Sequence, residues 1–142
     1  MPPDPGPLTV AKNALQVALA AALPGRTVTR KWLPYAQRSR EELLAGVVTL
    51  AGLGEEGFAN YRGREADLGT LKVVVVGQIE VDSTDPQDVE DAEDVLAEEI
   101  KAFLRSSWPP EIRACLATGF RQSGQLEAPY GWVAFEMEVQ TA

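Results

Sequence analysis

Three kinds of residue in this sequence could carry chemistry: its carboxylates, its one cysteine and one glycine-rich motif. Residues 52–57 read GLGEEG and so match the bare GxGxxG spelling of dinucleotide-binding loops. A phosphate site needs that motif to open a helix whose backbone amides point at the phosphate. Here two glutamates lie inside the motif, where they repel phosphate, and no helical pattern follows. We therefore interpret the match as a chance occurrence.

The 142 residues contain no histidine, and Cys115 is the single cysteine. Without histidine, these residues cannot form a Ser-His-Asp or Cys-His catalytic site, nor a zinc site of the Cys/His type. One cysteine cannot form an internal disulfide. Because no histidine is present to activate its thiol, Cys115 is predicted to be a small core residue.

The carboxylates offer two further candidate sites. Asp88, Asp91 and Glu98 could offer oxygen ligands to a metal, but they lack the EF-hand spacing and its central glycine. Glu136 and Glu138 alternate along a predicted strand and could form a general acid/base pair. A solvated helix face and outward-facing strand carboxylates explain both groups more simply. We predict no catalytic residue, no cofactor and no metal, and we do not expect an enzyme.

The net charge of −8 is unevenly distributed along the chain. Residues 1–40 carry six cations and one acid, a net +5, whereas residues 41–142 carry 20 acids and seven cations, a net −13. Such an acidic protein does not bind duplex DNA by default, because phosphate neutralisation needs clustered cations. Opposite charges on different regions suit head-to-tail self-association, which closes into a ring when the rotation allows. Chance together with one acidic helix is the alternative explanation.

Three groups of residues are candidates for an interface. Aromatic and arginine side chains on the long glycine-containing loop 54–67 are typical of interface anchors. Cations early in the chain could meet the acidic helix of a neighbouring copy. An ordinary loop and plain surface charges are the alternatives for these groups. The candidates are Phe58, Tyr61, Arg62 and Arg64 in the loop, the cations Arg26, Arg30, Lys31, Arg38 and Arg40, and the helix acids Asp88, Asp91 and Glu98.

Hydrophobic periodicity predicts the elements that position these groups. Residues 1–7 hold four prolines and are predicted to form an extended arm, and residues 8–142 form a single domain. A 3.6-residue period predicts helices over 8–23 and 84–105. Alternating or β-branched stretches predict strands over 26–35, 46–53, 68–81, 113–122 and 131–141. The order predicts an α+β fold, a single layer of four to five mostly antiparallel strands with two helices packed on one face.

No apolar run reaches the roughly 18 residues needed to cross a bilayer. The N-terminal residues have neither a basic region nor a cleavage signal. We expect the protein to be made and folded in a cytoplasm.

The order of elements also carries a family resemblance. An amphipathic helix is followed by TVTRKWLPYAQRSREELLAGVVTLAG, a polar loop, LGTLKVVVVGQIEV, the helix VEDAEDVLAEEIKAFLR and a closing strand WVAFEMEVQT. This pattern resembles the tail terminator and minor tail proteins of long-tailed bacteriophages, and the related tail-completion and neck proteins. The likeness covers nearly the whole chain, and its most telling part is the strand 68–81 followed directly by the helix 87–105.

The resemblance implies a subunit of a hexameric ring that caps the tail tube, ends its polymerisation and joins it to the head. The implied partners are other copies of the chain, the tail tube protein and the head-tail connector protein, with DNA passing through unbound and no membrane involved. The implied location is the tail or neck of the virion, after synthesis in the host cytoplasm. The alternatives are a head-tail completion protein, or a small non-catalytic protein- or ligand-binding module.

Overall fold

This computed structural model describes residues 6–59 and 69–141. They contain three α-helices, one short 3-10 helix and six strands. The prediction for loop residues Tyr61, Arg62 and Arg64 lies outside them, as does most of the predicted N-terminal arm. The elements are α1 (Pro7–Ala22), β1 (Thr27–Thr29), α2 (Arg40–Ala45), β2 (Val47–Glu56), β3 (Thr70–Glu80), α3 (Pro86–Leu104), β4 (Ile112–Leu116), β5 (Phe120–Gln122) and β6 (Tyr130–Thr141).

The strands form one mixed sheet in the order β1-β2-β3-β6-β4, with β5 pairing with β6 beside β4. β1 runs parallel to β2, and all the other pairs are antiparallel. The predicted α+β class is therefore confirmed. The sheet has six strands rather than four to five, because the predicted strand 113–122 is divided into β4 and β5. The predicted strand 26–35 is also shorter, since only Thr27–Thr29 pairs with β2.

The two long helices follow their sequence signals. In α1, Ala11, Leu15 and Leu19 are buried at the expected spacing. In α3, the Asp85 side chain accepts a hydrogen bond from the Gln87 amide at 3.0 Å, so it caps the helix. Both helices lie on the same face of the sheet, and their stripes join the inward side chains of β3 and β6 in one core.

The central strands β3 and β6 contribute buried side chains to the middle of this core. Val73 and Val75 of β3 lie opposite Met137 and Phe135 of β6, and all four side chains are buried. Gly77 lets α3 approach the sheet closely, because a Cβ there would lie 2.3 Å from a methyl carbon of Leu96.

The second face of the sheet is covered at one end only. The chain between β1 and α2 crosses that end, where the Gln78 side chain donates to the Leu33 carbonyl at 3.1 Å and the Tyr35 hydroxyl donates to the Gly131 carbonyl at 2.9 Å. α2 contacts β3, with Arg40 hydrogen-bonded to Glu80 at 3.0 Å. The two predicted helices therefore account for only part of the helical structure, since a third, short helix also contacts the sheet.

Candidate functional site

The uncovered half of the second sheet face forms an open groove of about 850 Å³. Its floor consists of side chains from β3 and β6, which alternate away from the helix layer. Leu53 forms one wall, at the point where the register of β2 shifts between Gly52 and Gly54. Leu116 and the turn after it form the other wall. The floor residues are Lys72, Val74, Trp132, Ala134, Glu136 and Glu138.

Charges in the groove are mixed, with more acids than cations. Lys72 forms a short ion pair with Glu138 and lies 3.7 Å from a carboxylate oxygen of Glu56. The hydrogen bond to Glu138 is the main cause of the raised pKa of Lys72. Glu136 is exposed and forms no ion pair with any other residue that the structure describes. The groove floor thus combines apolar and charged side chains, and it presents the exposed carboxylate of Glu136.

A second uncovered surface lies on the helix side of the domain. The outward side of α1 is lined by Val10, Ala14, Val17 and Ala21, which follow one another at helical spacing and include no charge. Val17 is 69% exposed and Val10 is 41% exposed. We call these four residues the α1 outer face. An amphipathic helix normally turns polar residues to water, so this apolar outer side is unusual.

The predicted interface cations are mostly occupied within their own chain. Arg26 forms an ion pair of 2.6 Å with Glu99 on the acidic helix α3. Arg38 donates to the Lys31 carbonyl at 2.6 Å and lies 3.6 Å from Glu42, while Arg40 pairs with Glu80 and Asp82. The acidic helix therefore contacts a cation of the same copy at Glu99.

Among the predicted cations, Arg30 contacts α1, and Lys31 is on the surface. Arg30 donates to the side chain of Asn13 at 2.7 Å, which places its guanidinium beside the helix. Lys31 is exposed. In the loop after β2, Phe58 is 54% exposed, as expected for a side chain available to a partner.

The three predicted helix acids stay on the surface, in agreement with the solvated face predicted for them. Asp88 accepts a hydrogen bond from Ser83 at 2.7 Å, and Glu98 pairs with Lys101 at 3.0 Å. Asp91 is exposed. These acids are not brought together with the predicted cations or with the groove.

Sequence reasoning missed one buried carboxylate, Glu93 of α3. It is fully buried and accepts hydrogen bonds from the Trp132 amide at 2.9 Å, from the Ser123 hydroxyl and from the Gln122 side chain at 3.4 Å. The signal was present, because Glu93 lies four residues after Val89 and so falls on the inner stripe of the helix. The carboxylate fixes the turn between β5 and β6 to α3.

The remaining predicted features are Cys115, the GxGxxG match and the candidate metal ligands. Cys115 is a core residue as predicted, and burial raises the pKa of its thiol to about 12. Most of the GxGxxG match lies in the last part of β2 and its bulge, so it does not open a helix. Within residues 6–59 and 69–141, no group of three or more metal-ligating side chains occurs, and no helix is both long and apolar enough to span a membrane.

Comparison with known proteins gives no family for this chain. Neither the protein-family models nor the curated proteins contain a match to it. We therefore infer the function from the two uncovered surfaces and from the order of the elements.

Proposed function

We propose that this protein is a non-catalytic structural subunit that assembles with copies of itself, as the tail terminator of a long-tailed bacteriophage does. One observation carries the proposal: among the residues that the structure describes, the groove and the α1 outer face are two unlike surfaces that expose apolar side chains. They lie on opposite sides of the sheet-and-helix sandwich, because α1 covers one sheet face and the groove lies on the other. Isolated monomers rarely expose contiguous apolar patches of this kind without a function.

Two unlike surfaces on opposite sides favour one kind of assembly. A twofold dimer uses the same patch on both subunits, whereas a head-to-tail contact uses two different patches. Head-to-tail contacts close into a ring when the rotation per subunit divides a full turn. A hexameric ring of the tail terminator kind would satisfy this requirement.

The other parts of the domain suit the proposed role at the end of a tail tube. The β2–β3 hairpin is paired from Val47 opposite Gln78 to Glu56 opposite Thr70, so it is a long, well-supported arm. We place its glycine-rich end, including Phe58, against the tube or at the lumen. The net charge of −8 per copy would make a lumen acidic, and an acidic lumen repels DNA and lets it slide.

The test is light scattering coupled to size-exclusion chromatography at several protein concentrations. The measurement is made on the protein alone and with the tail tube protein encoded by a neighbouring gene. We expect a species of several copies, or a defined complex with the tube protein. A strict monomer that binds no tube protein, encoded among genes unrelated to virion assembly, would overturn the proposal.

A second candidate function is favoured by the groove. An open groove of about 850 Å³ that contains a half-buried tryptophan and a paired lysine could hold a segment of an unrelated partner protein. In that case the protein stays monomeric at all concentrations and binds a partner through the groove. A head-tail completion role is separated in the same assay by binding to the head connector protein instead of the tube.

A further inference from the structure

We infer that the α1 outer face of one copy docks in the groove of the next copy, and that this contact is the repeating unit of the assembly. The inference rests on the proposed self-association and adds to it the two surfaces that meet. Its occupant is therefore a second copy of this chain.

The dimensions of the two surfaces agree. Leu53 on β2 and Leu116 on β4 stand three strand spacings apart, which is about 14 Å. An α-helix with its side chains is about 10–12 Å wide, so a helix whose contact face carries only alanine and valine can lie over β3 and β6, with Leu53 and Leu116 on either side. From Val10 to Ala21 the α1 outer face is about 16 Å long. The floor from Trp132 to Glu138 is about 20 Å long, so the helix also fits lengthwise.

The side chains on the α1 outer face are suited to close approach. Alanine and valine add little thickness, so the helix backbone can lie close to Val74 and Ala134 on the groove floor. Docking would remove from water the large apolar side chains that each copy leaves exposed at the two surfaces. Removing apolar surface from water is the main driving force for association.

The charges at the edges of the two surfaces are complementary. The groove presents the exposed carboxylate of Glu136, whereas α1 carries the Arg30 guanidinium on Asn13 at its flank. Glu138 is already paired with Lys72, and Arg121 also lines the groove. A docked helix would bring the cation of one copy to Glu136 of the next. Charge complementarity of this kind fixes register and partner choice more than affinity.

The experiment introduces one charge into each surface and uses matched controls. Val17→Asp changes the α1 outer face and Leu116→Asp changes a groove wall, where the side chain is 56% exposed. The controls are Val95→Asp on α3, at 57% exposure, and Leu126→Asp in the β5–β6 turn, at 87% exposure. We expect each surface variant to weaken association by at least about tenfold, and both controls to assemble as the unchanged protein does. Circular dichroism checks that every variant is folded, and Val10→Asp replaces any Val17 variant that is not.

Mixing the two surface variants tests whether the surfaces meet each other. The Val17→Asp chain keeps an intact groove, and the Leu116→Asp chain keeps an intact α1 outer face. An equimolar mixture should therefore form one-to-one dimers that cannot grow, while each variant alone stays monomeric. If the unchanged protein assembles and both variants assemble as well as it does, the inference fails and the proposed function survives. The inference also fails if only one variant loses assembly or if the mixture stays monomeric. If the unchanged protein is monomeric with and without tube protein, the proposed function and the inference both fail.

Discussion

Replacing the buried Glu93 by alanine is expected to destabilise the protein by about 3–7 kcal/mol. Glu93 accepts hydrogen bonds from the Trp132 amide and the Ser123 hydroxyl, and the deletion leaves both donors without an acceptor. Each unsatisfied buried donor costs roughly 1–3 kcal/mol. The lost methylene and the space it leaves add about 1 kcal/mol. Gln122 contributes little to the total, because its amide also donates to Asp94 at 2.8 Å.

The measurement is urea unfolding at neutral pH, followed by far-ultraviolet circular dichroism. Two variants calibrate the result. Glu93→Gln keeps one acceptor oxygen and nearly the same volume, so its cost should be about 1–2 kcal/mol. Glu98→Ala removes an exposed carboxylate of the same helix, paired with Lys101, and should change the free energy of unfolding by less than about 0.5 kcal/mol. The reasoning is refuted if Glu93→Ala costs less than about 1 kcal/mol, or no more than the surface control.

Two further predictions concern the core. Gly77→Ala should cost about 1–3 kcal/mol in the same unfolding assay because its Cβ would collide with Leu96, whereas Gly119→Ala, with open space around it, should be neutral or slightly stabilising. An equal effect of both substitutions would contradict this. Burial raises the pKa of Cys115 to about 12 in the folded chain, above its value of 9.0 when solvated. Its stabilising contribution is therefore complete below about pH 9 and is lost as pH rises toward 12. At pH 8 iodoacetamide should modify the folded protein at least about 100-fold more slowly than the urea-unfolded chain; similar rates would refute the assignment.

The long elements could be predicted from sequence because one strong signal determines each of them. α3 combines a cap, an early proline and an apolar stripe, and β3 is a β-branched run between charged ends. The short helix α2 also had a signal, since Ser39 caps it by accepting from the Glu42 amide at 3.1 Å. Serine followed three residues later by glutamate is a capping box.

The strand pairing and the groove could not be predicted, because both depend on contacts between distant parts of the chain. The groove exists because β6 lies between β3 and β4, and because β4 and β5 leave a gap along β6 at Glu136 and Met137. No local pattern specifies that arrangement. The contact between Arg26 and Glu99 is another case, since the two residues are 73 positions apart in sequence.

The position of β6 in the sheet has a consequence for how the chain folds. β6 is the last of the elements in sequence, yet it lies in the middle of the sheet and pairs with β3 about 60 residues earlier. Native pairing of this kind requires closure of a long loop and makes folding slow, in the range of milliseconds to seconds. Until residues 130–141 leave the ribosome, β3 has an unprotected edge that can pair with other nascent chains. Truncation before Tyr130 should therefore yield an aggregating product and not a smaller folded domain.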